Sequence, residues 1–473
     1  MIKQSIIKQT MLSGVALILI LASCNNADAP MNADAPMITP VEGKVRLMNL
    51  DPGHFHAALV QKTMYEAVDE VVHVYAPDGP EVQSYLNRIG SYNSREKDPT
   101  AWEEKVYTGT DFLEKMLSEK PGNVMVVSGN NAKKTEYILK TVQEGIHVLA
   151  DKPMVISPDK FPMLEEAFAT AAGKGVLLYD IMTERYEICT ILQKEFSQLP
   201  EVFGELQVGS PNLPAITKES VHHFSKIVSG QPLIRPPWFF DTEQQGEGIV
   251  DVTTHLVDLV QWEAFPGEVL KKEDIQINSS KRWTTPLTPE MFQKVTGLDS
   301  YPPYLEKDVH GSLLRVYSNG EINYTIKGVH AKVSVIWNFV APEGTGDTHY
   351  STMRGSNCEL MIRQGEAEGY KPTLYIQPTF IESPDEFRKA LEAGTQKLAE
   401  KYPGITLRAV DELLWMVDIP DSYKVGHEAH FGQVTEKFLS YLADGTLPEW
   451  EIPNMIVKYY TTTEGMKQAF DMK

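Results

Sequence analysis

From Lys44 onward the chain alternates short apolar runs with segments of helical spacing. Val45–Leu50 is an apolar run suited to a buried strand, and a helical pattern follows from about Phe55 to Val68. Val71–Tyr75, Asn123–Ser128, Ile146–Ala150 and Gly175–Tyr179 are further strand candidates. Lys133–Glu144, closed by Gly145, and Asp159–Gly173 read as helices between them. Strands alternating with helices of this length imply right-handed crossovers and a parallel sheet. The pattern therefore predicts an α/β domain over residues 44–185. Asp78–Thr110 mixes Pro, Asn, charge and Trp102. It predicts an insertion over the sheet's C-terminal edge, where ligands bind in such folds.

After about Tyr186 the pattern changes. Phe203–Gly209, Ser312–Ser318, Glu321–Lys327, Ala331–Val340 and Glu359–Arg363 alternate apolar and polar residues. Asn319-Gly320 stands between two of these runs and predicts a hairpin turn. Two closing helices, about His427–Ala443 and Asn454–Asp471, flank a connection rich in Pro and Trp, Leu447–Pro453. Residues 186–473 are expected to form an α+β domain with a mostly antiparallel, open sheet.

The first 43 residues fit neither pattern. Lys3 and Lys8 precede an apolar stretch, Met11–Ala22, which is too short to span a bilayer but has the layout of a secretory signal. Leu21-Ala22-Ser23-Cys24 resembles a bacterial lipobox, in which the cysteine thiol receives the lipid; the bland alternative is an ordinary cleaved signal with a chance cysteine. Residues 1–23 are expected to be a lipoprotein signal peptide and Cys24 the lipidated residue. NADAPM occurs twice in tandem, at 26–31 and 32–37, so residues 24–43 read as a flexible tether. The protein is expected to be exported and lipid-anchored at a bacterial membrane, on its periplasmic face or at the cell surface.

Composition narrows the function classes. Lys+Arg number 44 and Asp+Glu 64, for a formal charge of −20; losing Lys3 and Lys8 with the leader would make it −22. Such a balance argues against phosphate-backbone binding and against an anionic membrane surface, leaving the lipid as the only membrane contact. Three cysteines exclude a disulfide framework. Whether Cys189 and Cys358 pair stays open.

Three segments carry candidate chemistry. The first is the turn after strand one, Asp51-Pro52-Gly53-His54-Phe55-His56-Ala57. A dinucleotide turn has the form G-x-G-x-x-G/A, and only Gly53 is in place: Asp51 stands at the first glycine and His56 at the third. If a helix starts here, His54 and His56 point about 200° apart, so joint metal ligation is not expected. They are expected instead to cap the helix or touch a phosphate or ribose. Asp78 is a displaced candidate for the ribose hook. The second is Ala150-Asp151-Lys152-Pro153, which ends a strand on a lysine aimed at the crevice; alone, such a triplet is more often a surface turn. The third is Gly246–Leu259. On a helix, Asp251, His255 and Asp258 share one stripe, setting an imidazole beside orienting carboxylates. A solvated polar face is the plainer reading of that segment alone.

GIHVLADKP and GEGIVDVTTHLVDL together resemble the Gfo/Idh/MocA family of nicotinamide-dependent sugar and cyclitol oxidoreductases. The resemblance runs from about Lys44 to Leu259, with the Asn130-Asn131 region similar to the family's cofactor-edge loop. His430-Phe431 to Thr463 looks like an extension found in exported members. It departs at the glycine fingerprint and at Asp151, where glutamate is usual. The resemblance implies a Rossmann-like N-terminal domain and NAD or NADP, tightly bound if export supplies none. Gly53, His54, Phe55, His56, Asp78, Asn130, Asn131 and Lys152 would stand at the cofactor. His255 would accept the substrate hydroxyl proton as hydride leaves the same carbon, Asp251 would orient a hydroxyl or the imidazole, and Lys152 would bridge substrate oxygen and nicotinamide ribose. Arg185, Tyr186, Trp238 and Asp258 are candidate substrate groups, with His222 and His223 weaker ones.

The expected activity is oxidation of a hydroxyl on a sugar, glycoside or cyclitol, in a homo-oligomer that binds a small carbohydrate, no nucleic acid and no metal. Two alternatives stay open: an NAD-dependent glycosidase-like enzyme with retained cofactor, and a lipid-anchored carbohydrate-binding protein whose nucleotide site has decayed.

Overall fold

The computed structural model describes residues 38–228, 231–379 and 384–471. The leader, Cys24 and most of the tether lie outside them. Among the described residues, no helix is long and apolar enough to cross a membrane.

The N-terminal domain is built on six parallel strands: β1 (Leu47–Leu50), β2 (Val71–Ala76), β3 (Glu103–Thr108), β4 (Val124–Val127), β5 (His147–Asp151) and β6 (Leu178–Ile181). Their order is β3-β2-β1-β4-β5-β6. The helices α1 (His56–Leu59), α2 (Pro80–Ser94), α3 (Phe112–Glu119), α4 (Lys134–Gln143) and α5 (Phe161–Lys174) supply the crossovers. β1, β4, β5 and β6 are buried at every position. Their continuous apolar runs follow from a sheet covered on both faces. The order reverses between β1 and β4, so the crevice at their C-terminal ends is where a ligand of this fold binds.

Two expectations change here. Asp78–Thr110 is not an insertion: it forms α2 and β3, the edge strand of the parallel sheet. β3 reads as EEKVYT and is largely exposed, so its burial pattern carries no core signal. The long helix expected from Phe55 shrinks to four residues of α1.

The second domain follows α6 (Ile188–Ser197). Its large sheet runs in the order Ile275–Leu287, Leu313–Ile326, Val329–Val340, Ile216–Ser225, Thr348–Arg354, Cys358–Arg363, Thr373–Pro378, Leu414–Asp418 and Thr406–Asp411. All neighbours are antiparallel except Val329–Val340 with Ile216–Ser225. Asn319-Gly320 is not a turn. It lies inside strand Leu313–Ile326, where the Asn319 side chain donates to Trp283 O (3.1 Å) and accepts from Trp337 N (2.7 Å). The hairpin turns at Lys327-Gly328 instead, both with positive φ (49° and 81°). Of Phe203–Gly209 only Gly209 enters a strand. Cys189 and Cys358 are separate, buried, free thiols.

The chain ends by returning to the first domain. Helices His427–Asp444 and Glu451–Asp471 place Phe431, Phe438, Tyr441, Met455 and Tyr459 in the same core cluster as the parallel sheet. The boundary in space therefore differs from a single cut near residue 185.

Candidate active site

The turn after β1 keeps a dinucleotide-type backbone without the usual glycines. Asp51 holds φ at 49°, the left-handed conformation that the first glycine ordinarily supplies. Its N–H donates to Tyr75 O (2.9 Å), and Gly53 N–H donates back to Asp51 O (2.7 Å). Gly129, after β4, lies so close that a Cβ there would come within 2.1 Å of Asp51 O. Burial, with Glu81 adding to it, raises the Asp51 carboxyl to about 6, against the pull of Lys133 and Lys134. Phe55 is partly buried and Asp78 is exposed past the end of β2. In backbone terms these residues fit a nicotinamide dinucleotide. The side chains crowd it: His56 fills the third-glycine position, and the Trp238 indole packs over Gly53, 3.4 Å from where a Cβ would stand.

His54 and His56 do not diverge. α1 begins only at His56, leaving His54 in the turn, so helical geometry does not relate them. Their rings lie edge to face, 4.2 Å between centroids. Both Nδ1 atoms face Asp151 Oδ2, at 3.8 Å from His54 and 3.0 Å from His56. Ser128 Oγ donates to the same carboxylate (2.8 Å), and buried Lys134 Nζ donates to the Asp151 carbonyl (2.9 Å). Burial works against ionising Asp151, but His56, Lys134 and His54 together hold its carboxyl well below the usual range. Burial lowers the pKa values of both imidazoles, against the pull of Asp151.

Lys152 enters the crevice one residue later. Its Nζ donates to Asp251 Oδ1 at 2.6 Å, both side chains being about one-tenth exposed, and Gln245 Nε2 donates to Asp251 Oδ2 (3.1 Å). Asp251 is not on the site helix, which spans Thr253–Ala264; it precedes it in a turn held by close glycine contacts. A Cβ on Gly248 would lie 1.8 Å from Ser318 O, and one on Gly320 would lie 2.6 Å from Ile249 Cβ. His255 sits in the first turn of the helix, with its Nδ1 buried and unpartnered. Burial, then Lys152 and His427, push its pKa well down. A buried polar atom without a partner is one that a bound ligand can satisfy.

Asp258 and Arg185 serve one another. Arg185 grips Asp258 through Nε (2.6 Å) and Nη2 (2.7 Å), and its Nη1 reaches Glu451 (3.0 Å). Lys458, wholly buried on the last helix, bridges Asp258 (2.9 Å) and Asp180 (2.7 Å). These side chains tie β6, the site helix and the C-terminal helix together, so their charged ends are not free for a substrate. Tyr186 sits beside Arg185 in the turn Thr183–Tyr186. Asn130 Nδ2 donates to Gln244 Oε1 and Asn131 Nδ2 to Gln245 O, both at 2.7 Å. The expected cofactor-edge loop is thus joined to the second domain.

Other groups converge that sequence reasoning did not single out. Asp347 gathers His222 (3.0 Å), His223 (3.4 Å) and Lys226. Lys226 feels the charge of Lys152, as does Glu184, whose carboxyl burial and Glu187 raise to about 7. His427 stands 5.3 Å from His56, ring to ring. Asp347 and His427 come from loops and helix ends over 90 residues beyond Asp251, so no local motif marks them. Glu184 alone had a signal, adjoining Arg185 after β6.

Residues 50–180 match the family model described as "Oxidoreductase family, NAD-binding Rossmann fold", and residues 192–470 match "Putative oxidoreductase C terminal domain". A "putative oxidoreductase" from Parabacteroides merdae has a similar crystal structure, at 55% identity and a TM-score of 0.90, covering 92% of this chain and 100% of that one. Two distant structures share the fold. Levoglucosan dehydrogenase, in complex with NADH and levoglucosan, is 10% identical, with a TM-score of 0.57 and coverage of 90% and 98%. The WlbA dehydrogenase from Bordetella pertussis, in complex with NADH and UDP-GlcNAcA, is 12% identical, with a TM-score of 0.52 and coverage of 92% and 97%. No curated protein matches the chain.

Proposed function

The chain belongs to the Gfo/Idh/MocA family of oxidoreductases, and on that premise we propose that it oxidises a hydroxyl of a small sugar, glycoside or cyclitol at the junction of its two domains, with NAD or NADP as acceptor. The observation that carries the reading is the Lys152–Asp251 pair beside His255. One ammonium, one carboxylate and one neutral imidazole meet where β5 and the site helix converge. The bound nicotinamide would supply a hydride acceptor. The turn from Asp51 to His56, with Phe55, Asp78, Asn130 and Asn131 around it, would hold the dinucleotide.

The protein's own residues do the remaining work. His255 stays neutral across the physiological range and takes the hydroxyl proton on its imidazole. Lys152 places a fixed positive charge by the oxygen, where it favours the alkoxide-like transition state over the neutral alcohol. Asp251, held by Gln245, fixes the Lys152 amine and accepts a hydrogen bond from a neighbouring hydroxyl. Tyr186, His222 and His223 would line the sugar side, whereas Trp238, expected there from the sequence, packs on the nucleotide turn at Gly53 instead. The sugar-bound neighbours of this fold support the substrate class. We also propose that the protein is exported and anchored through Cys24, and that it works as a homo-oligomer.

The test is turnover: purified protein, NAD or NADP, and a panel of pyranosides and cyclitols, followed at 340 nm. Lys152→Ala and His255→Ala should each abolish turnover without unfolding the protein, which far-UV circular dichroism checks. Lys152→Ala leaves Asp251 without its ion-pair partner and should lower the melting temperature by a few degrees. Normal rates in either variant would refute the assigned roles. A second reading is favoured by Trp238 over Gly53 and His56 in the third-glycine position: a carbohydrate-binding protein whose nucleotide turn is filled. Saturable binding of a sugar with no nucleotide binding would support it.

A further inference from the structure

We infer that His54, His56 and Asp151 form a binding site for a divalent first-row transition-metal ion, set in the turn after β1. The inference goes beyond the oxidoreductase reading and does not depend on it.

The geometry carries it. One ligand atom from each of the three residues lies within 4.8 Å of the other two, and this is the only such group of three among the described residues. A metal bound at about 2.0–2.2 Å to nitrogen and oxygen has ligand atoms about 3.0–3.5 Å apart along the edges of its polyhedron. The two distances to Asp151 Oδ2, 3.0 and 3.8 Å, bracket that spacing. Small rotations of the His54 ring would bring all three into one coordination sphere. Two imidazoles and a carboxylate on one side of an ion suit zinc or ferrous iron and leave positions open on the other.

The surroundings are those of a ligand set. Ser128 Oγ donates to the same Asp151 Oδ2 that faces both imidazoles (2.8 Å), fixing that oxygen's position and leaving it a second lone pair for an ion. Lys134 is held by the Asp151 carbonyl rather than its carboxylate, so it does not compete for the ligand oxygen. Asp151 ends β5 and His56 opens α1, so two of the three ligands sit on regular elements, and His54 lies in the short turn between β1 and α1. Lys152 follows Asp151 directly, so an oxygen ligand on the open side of the ion would lie beside the catalytic lysine.

The experiment is metal binding by the purified protein, stripped with chelator and dialysed. Zn²⁺ is titrated by calorimetry, and Co²⁺ by its visible d–d absorption. The expected result is about one equivalent of Zn²⁺ per chain and a Co²⁺ spectrum of nitrogen–oxygen coordination. His54→Ala and His56→Ala should each weaken binding on the order of 100-fold, and Ser128→Ala roughly 10-fold. His310→Ala, an exposed histidine elsewhere, should change nothing. His54 is partly exposed and lies in a turn outside any regular element, so its variant keeps the test valid even if Asp151→Asn does not fold. Less than about 0.1 equivalent of Zn²⁺, or binding insensitive to His54 and His56, would overturn the site. NADH binding is titrated on the same stripped preparation by nicotinamide fluorescence. Metal without nucleotide would sink the nicotinamide reading and leave the metal site standing; nucleotide without metal would do the reverse.

Discussion

Lys458→Met tests the tie between the domains. Lys458 is wholly buried and lies 2.7 Å from Asp180 and 2.9 Å from Asp258. Removing its charge leaves two buried carboxylates facing a methionine. Arg185 still answers Asp258, but Asp180 keeps only the Tyr459 hydroxyl at 2.8 Å. Breaking one partner out of a buried ion pair costs about 3–5 kcal/mol. For a cooperative unit of this size, at ~2 cal/mol/K of unfolding entropy per residue, that is a fall of roughly 3–6 °C in Tm. The sign with pH follows. Arg185 and Lys458 outweigh burial and hold Asp258 below its ordinary range. A carboxyl lowered on folding stabilises above its unfolded pKa and loses that contribution as pH falls. Without Lys458 the folded pKa rises, so the variant's deficit should be fully present near pH 8 and shrink only towards about pH 3.5, below the ordinary Asp value. Differential scanning calorimetry at both pH values measures it. A shift under 1 °C at pH 8, or a deficit that grows on acidification, would refute the reasoning. Lys458→Met/Asp180→Asn should recover part of the loss, since it removes the abandoned charge.

Gly248→Ala should drive a methyl into Ser318 O, move the turn that carries Asp251, and cost several kcal/mol of stability together with turnover; urea midpoints and rates near wild type would contradict that contact. His147 is buried, accepts Leu177 N–H on Nδ1, and burial lowers its pKa to about 4. A base whose pKa falls on folding stabilises fully above its unfolded value near 6.5 and less as pH drops, so it should withdraw about 2 kcal/mol by pH 5. The slope of urea stability between pH 7 and 5 should flatten in His147→Gln and is expected to be unchanged in His310→Ala.

Much of the parallel sheet was legible because buried strands are apolar throughout, and β1, β4, β5 and β6 show that directly. β3 was missed because an edge strand with charged residues on both faces has no such run. Asn319-Gly320 misled because Asn-Gly usually marks a turn, whereas here asparagine knits three strands and glycine makes room for Ile249. Lys152, Asp251 and His255 could be named since each lies in a motif. Asp347, Lys226 and His427 could not, because only the sheet and the returning C-terminal helices bring them in. The divergence expected of His54 and His56 held only for a helix that already includes His54; the observed start at His56 reverses the conclusion.

Nucleotide binding bears most directly on the oxidoreductase reading. Purified protein is denatured, its released nucleotide quantified, and the emptied protein's melting temperature followed as NAD or NADP is added. Stoichiometric nucleotide, or a melting temperature that rises with added nucleotide and saturates, is the predicted result. No nucleotide released, and no stabilisation by either NAD or NADP, would contradict it.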